Sequence, residues 1–124
     1  MARLTQFVVD SRRPASLARF WAAALDGFEI REYDDEEIAR LASIGRTPGT
    51  DRCVLLDGAS LEICFQEMEV PSMEMGPLHL DISAPDRAHE QGHLVSLGAS
   101  IVQEFEHHTW MRDPEGNDFC LTDA

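Results

Sequence analysis

Glu62, Cys64 and Gln66 stand at every second position of a β-rich segment, so an extended backbone sets all three side chains on one face. That face turns either to solvent or into a cleft. In a cleft, burial would raise the pKa of the Glu62 carboxylate and make it a candidate general base. The same alternation near the C-terminus puts Asp118 and Cys120 on one face and Phe119 and Leu121 on the other. His79, in another strand-like segment, is either a hydrogen-bonded core imidazole or a metal ligand. Cys64 and Cys120 read as small buried hydrophobes or as reactive or ligating thiols. Trp110 either walls a pocket and stacks on a planar ligand or packs in the core. His107 and His108 are adjacent, so on a strand at most one of them joins a shared face.

The elements that must position these residues follow from periodicity and turn chemistry. Residues 4–10 read as a strand. A helix follows, with Pro14 in its first turn, Leu17, Phe20, Trp21, Ala24 and Leu25 at helical spacing, and Gly27 as a left-handed cap. Residues 28–33 form a second candidate strand. Asp34, Asp35, Glu36 and Glu37 then read either as an acidic helix start ahead of Ile38, Leu41 and Ala42 or as a solvated loop with one helical turn. Residues 53–57 and 61–65 make a hairpin around Gly58, Ala59 and Ser60. Residues 68–76 carry Pro71, Pro77 follows, and the stretch is a connector.

The order then begins again. Residues 78–83 are a strand, Asp86 caps a helix that runs to Gly98, and residues 99–105, 109–112 and 119–122 are three more strands. Asp113, Pro114, Glu115, Gly116 and Asn117 make a tight turn, because Asp bonds its own backbone, Pro presets φ and Gly tolerates positive φ. The chain is two βαβββ units in tandem. Aligning residues 80–84 with 7–11 pairs His79 with Gln6, and aligning Gly116 with Gly58 pairs Cys120 with Glu62.

Composition bounds what the chain can do. Its 124 residues, 44% apolar and with six Phe and two Trp, suffice for one domain with a core. A net charge of −13 disfavours a nucleic-acid partner, which needs clustered Lys and Arg. No apolar run of about 18 residues is present to span a bilayer, and the N-terminus lacks a signal-peptide pattern, so no membrane partner and a cytoplasmic location are expected. Three cysteines, without a Cys-x-x-Cys spacing, suggest neither a disulfide framework nor a zinc ribbon.

The segments Ser16 to Leu25, Leu78-His79-Leu80-Asp81, Leu97-Gly98-Ala99 and Trp110 to Cys120 together resemble the vicinal oxygen chelate superfamily of glyoxalases, bleomycin-resistance proteins and extradiol dioxygenases. The likeness is to its small bacterial glyoxalase-like domain proteins, and it covers nearly the whole chain. It implies an α+β fold: two tandem βαβββ modules whose curved mixed sheets enclose a cleft, often completed by a homodimer contact. Module one would span about residues 1–68, the connector 69–76 and module two 77–124, within a single domain of residues 1–124. Metalloenzymes of this kind take ligands from the first and last strands of each module, which here correspond to Gln6, Glu62, His79 and Cys120. An amide, a carboxylate and an imidazole suit Zn, Ni, Co, Mn or Fe. The fourth position departs from the pattern, since Cys120 replaces a carboxylate that would both bind metal and take the substrate proton.

Two functions fit this reading. One is a protein that binds a small organic molecule through Gln6, Cys64, Gln66, His79, Trp110 and Cys120, without a complete metal site. The other is a metal-dependent lyase, isomerase or dioxygenase, with a divalent ion at Gln6, Glu62 and His79 and with Glu62 as the catalytic carboxylate.

Overall fold

In the computed structural model of the chain, residues 1, 4–68 and 79–124 are described. The elements run β1 (Gln6–Ser11), α1 (Pro14–Ala24), β2 (Glu29–Ile30), α2 (Asp35–Ser43), a 3₁₀ turn (Pro48–Thr50), β3 (Cys53–Asp57), β4 (Glu62–Glu67), β5 (Leu80–Ala84), α3 (Arg87–Ser96), β6 (Ser100–Glu104), β7 (His108–Arg112) and β8 (Asp118–Asp123). The architecture is α+β, with two modules and one mixed four-stranded sheet in each. The chain divides into two compact units, Met1–Pro71 and Ser72–Ala124. The expected connector, residues 68–76, lies outside the described residues apart from Met68, as do Pro77 and Leu78, the first residue of the next expected strand.

In the first unit the strand order is β1-β4-β3-β2. β1 runs parallel to β4, with Gln6 opposite Glu62 and Val8 opposite Cys64, while β3 is antiparallel to β4 and to β2. α1 covers one face of this sheet. Pro14 opens the helix, where its missing N–H costs nothing, and Leu17, Ala18, Phe20 and Trp21 are buried with Val54, Leu56, Ile63 and Phe65. The Phe20 and Trp21 rings meet edge to face, with centroids 5.1 Å apart. The acidic segment after β2 is a helix: the Asp34 carboxylate accepts from the Glu37 backbone N–H, and Leu41 anchors α2 in the core. The second strand is shorter than its composition suggests, two residues in place of residues 28–33.

The second unit repeats the plan, with order β5-β8-β7-β6. β5 is parallel to β8, with Leu80 opposite Phe119 and Asp81 opposite Cys120, and β7 is antiparallel to β8, with Trp110 opposite Cys120. Asp86 caps α3 by accepting from the His89 N–H. Leu94 of α3 is buried, as are Ala84, Ala99, Met111, Phe119 and Leu121. The register between β6 and β7 shifts between Ile101 and Gln103. The turn before β8 is organised by Asp113, which is buried and whose carboxylate accepts from the Glu115 and Asn117 backbone N–H groups and from the Asn117 side chain.

The hairpin between β3 and β4 depends on Gly58. A Cβ there would lie 2.6 Å from the Phe28 ring and 2.7 Å from the Leu61 carbonyl oxygen, and the backbone oxygen has little freedom to retreat. Gly58→Ala is expected to destabilise the protein by about 1–3 kcal/mol in urea unfolding. At Gly49 the nearest neighbour would be 3.6 Å away, and Gly49→Ala is expected to stay within about 0.5 kcal/mol of the wild type. Equal effects of the two substitutions would contradict this packing.

Candidate functional site

α1 and α3 each cover one face of their sheets, so alternation assigns the remaining side chains to the other. In the first unit that helix-free face carries Gln6, Glu62, Cys64 and Gln66, as the sequence pattern requires. Glu62 is not a lone carboxylate. One oxygen accepts from Arg31 Nη2 at 2.7 Å and the other from Gln6 Nε2 at 3.1 Å. Arg31 also forks onto Asp57, donating from Nε at 3.0 Å and from Nη2 at 2.5 Å. Hydrogen bonding and charge from Arg31 hold the Asp57 carboxyl below its ordinary value, and the two carboxylates in turn raise the guanidinium further above its own. The Arg31 and Glu62 side chains are 43% and 39% exposed, so the cluster is a surface ion pair and not a desolvated acid.

For a divalent cation, this half of the expected donor set fits poorly. Gln6 turns its N–H toward Glu62, and both Glu62 oxygens already hold donors, so ligation would require Arg31 to leave. His79, the third expected ligand, belongs to the other unit.

In the second unit the helix-free face carries Asp81, Trp110, Asp118 and Cys120. Across the strands, Cys120 faces Asp81. His79 Nε2 lies 3.2 Å from Asp81 Oδ1, and donor atoms of His79, Asp81 and Cys120 all lie within 4.8 Å of one another. One nitrogen, one oxygen and one sulfur in that space are a donor set that suits zinc or cobalt. The Cys120 thiol is pushed up, first by burial and then by the charges of Asp81 and Asp118, so a metal would have to displace its proton. Asp118 is itself neutralised: its carboxylate accepts from Trp110 Nε1 at 2.6 Å and from Arg112 Nε at 3.1 Å. Arg112 also lies over the Trp110 ring, 5.7 Å from its centroid, so the indole is fixed at its edge and covered on one face.

Sequence reasoning missed Arg31, Asp81 and Asp118 as site residues. Asp81 had a signal, since it stands two residues after His79 and shares its face if the strand alternates. Arg31 had none, because its role depends on tertiary contacts with Asp57 and Glu62. Of the histidine pair, His107 is exposed beside Asp123, and His108 stacks on Phe105 with centroids 4.5 Å apart. Two depressions have volumes of about 440 and 490 Å³: the first lies beside β2 and is lined by Arg31 and Asp57 of the Glu62 cluster together with Phe28, and the second lies at the start of α3.

The profile of the glyoxalase-like domain family matches residues 6–122. The chain belongs to this family. Solved structures share the glyoxalase-like fold across almost the whole chain. A glyoxalase/bleomycin resistance protein/dioxygenase family enzyme from Burkholderia phytofirmans superposes with a TM-score of 0.70 at 17% identity, covering 98% of this chain and 98% of its own. A hypothetical protein from S. aureus gives 0.70 at 14% identity, covering 100% and 95%. A fosfomycin resistance protein from Listeria monocytogenes gives 0.67 at 12% identity, covering 100% and 93%. At such identities the likeness is one of glyoxalase-like fold. A comparison with curated protein sequences returned no match. No helix among the described residues is long and apolar enough to cross a membrane.

The Arg31 cluster makes a measurable claim. In an NMR pH titration, Asp57 is expected to titrate below its ordinary value of 3.8 and to move up toward it in Arg31→Ala. Because the folded-state pKa is the depressed one, the pair's small contribution to stability is present above the ordinary pKa and fades as pH falls through the folded one. An Asp57 titration unchanged by Arg31→Ala would contradict the geometry.

Proposed function

We propose that this protein binds small organic molecules on the helix-free faces of its sheets, with Gln6, Cys64 and Gln66 as the contacts offered by the first unit's face and His79, Trp110 and Cys120 as those offered by the second unit's. The observation that carries this reading is the closure of Glu62 by Arg31 and Gln6, which leaves a polar but charge-compensated surface in place of a free base or an open metal ligand. On the second unit's face, imidazole, indole and thiol groups offer hydrogen bonds and one stacking surface, a combination that suits a planar organic compound. The net charge of −13 favours a cationic one. A homodimer and a single domain spanning residues 1–124 belong to the same proposal. One solved structure of the same fold is that of a fosfomycin resistance protein, which is in keeping with this reading.

A metal-dependent lyase, isomerase or dioxygenase is the second reading, and one observation favours it: the convergence of His79, Asp81 and Cys120. A cation there would supply Lewis-acid polarisation of a substrate oxygen.

Thermal-shift screening of chelator-treated protein against planar cationic aromatics tests the first reading. A stabilising compound is expected, and Trp110→Ala should weaken it about tenfold, the loss of one aromatic contact. Stabilisation that appears only after a divalent metal is restored would overturn it. For the second reading, Co²⁺ added to reduced protein should give a near-ultraviolet thiolate-to-cobalt absorption that Cys120→Ser abolishes and Asp81→Asn weakens. No such band in the wild type would eliminate a centre at these three residues.

A further inference from the structure

Cys53 and Cys64 stand on neighbouring antiparallel strands of the first unit, diagonal to each other, since Cys53 lies opposite Gln66 and Cys64 opposite Leu55. Their sulfurs are 2.8 Å apart. All three cysteines of the chain are free thiols, and these two differ sharply in access: Cys53 is exposed, Cys64 buried. A disulfide requires a separation of about 2.05 Å, so closing the gap takes a shift of under an ångström along an existing line of approach. From this pairing we propose that Cys53 and Cys64 are an oxidation site, which a hydroperoxide converts from dithiol to intramolecular disulfide.

The chemistry divides between the two residues by their exposure. Cys53, the accessible thiol, attacks the distal peroxide oxygen as its thiolate. The O–O bond breaks, the leaving oxygen takes a proton as water or an alcohol, and Cys53 becomes a sulfenic acid. The Cys64 sulfur then attacks the Cys53 sulfur. An S–S bond forms, the S–O bond breaks, and the departing hydroxide leaves as water with the Cys64 proton. Two thiols lose two electrons in total, and the peroxide gains them.

Burial, then the hydrogen bond with Cys53, pushes the Cys64 thiol up to about 12, with Glu62 and Asp51 adding to the shift. Cys64 is therefore a poor first nucleophile, and its attack on the sulfenic sulfur rests on proximity. The resulting crosslink lies on the helix-free face beside Gln66, so oxidation alters one of the surfaces assigned above to ligand binding. The inference does not depend on that assignment.

Hydrogen peroxide added to fully reduced protein is the test, read by thiol counting under denaturing conditions, intact mass and peptide mapping. The count should fall from three to one, the mass should drop by two hydrogens, and the map should join Cys53 to Cys64. Cys64→Ser should instead accumulate a sulfenic acid at position 53 that dimedone traps, and Cys53→Ser should form no intramolecular crosslink. Because Cys53 is exposed, its substitution tests the pairing even where Cys64→Ser folds poorly. Retention of all three thiols, a crosslink to Cys120, a disulfide between two chains, or dimedone-trapped Cys53 in the wild type without a crosslink would each overturn the proposal.

Discussion

The parallel pairing of first and last strands, β1 with β4 and β5 with β8, is the constraint on which the rest of each unit depends. Parallel strands cannot be joined by a tight turn, so everything between them must be a crossover that returns the chain in the right direction. Here the crossover contains a helix and further strands. The helix packs on one face of the sheet and takes the larger hydrophobic side chains with it, Phe20 and Trp21 in the first unit and Leu94 in the second. What alternation then leaves on the other face is the chemistry: Gln6, Glu62, Cys64 and Gln66 in one unit, Asp81, Trp110, Asp118 and Cys120 in the other.

The same pairing fixes which polar groups meet. Gln6 touches Glu62 because the parallel register sets them directly opposite each other, 56 residues apart in sequence. Cys120 meets Asp81 for the same reason. A shift of one residue in either register would exchange the two faces, burying a carboxylate and exposing Phe65 or Phe119. The hydrophobic pattern of β4 and β8 therefore determines, indirectly, the polar constellation on their reverse side.

That dependence explains what was legible in the sequence. Element order, the N-cap at Asp86 and the turn at Asp113 are local properties, encoded within a few residues, and the structure carries them where the composition indicated, whereas the acidic run from Asp34 left helix and loop both open until the structure showed Asp34 capping α2. The helix-free faces were readable too, because alternation is a period of two. The second strand was overextended, since residues 28–33 contain β-formers but pair for only two residues with β3. Ligand-level detail was not readable. Aligning the halves by their turns and first strands equated His79 with Gln6 and Cys120 with Glu62, yet the observed register sets Asp81 opposite Cys120. Pairing register between distant strands is a tertiary property, and no local motif in either strand states it.

The two arginine clusters show why the register matters for charge. A chain with 23 acidic and 10 basic residues is short of cations, yet each sheet carries an arginine beside the carboxylate that precedes its cysteine by two positions. Arg31 holds Glu62 ahead of Cys64, and Arg112 holds Asp118 ahead of Cys120. An acidic side chain in the middle of a sheet repels its neighbours and resists desolvation, and a guanidinium hydrogen-bonded to it offsets both at one point. Asp118, only 8% exposed, needs that compensation more than Glu62 does, and it recruits the Trp110 indole N–H as well. Asp81 lies instead beside the His79 imidazole, with Nε2 3.2 Å from Oδ1. Of the two carboxylates on the helix-free face of the second sheet, Asp118 is thus held by an arginine and Asp81 by an imidazole, which leaves Asp81 the more open to an incoming cation or cationic ligand.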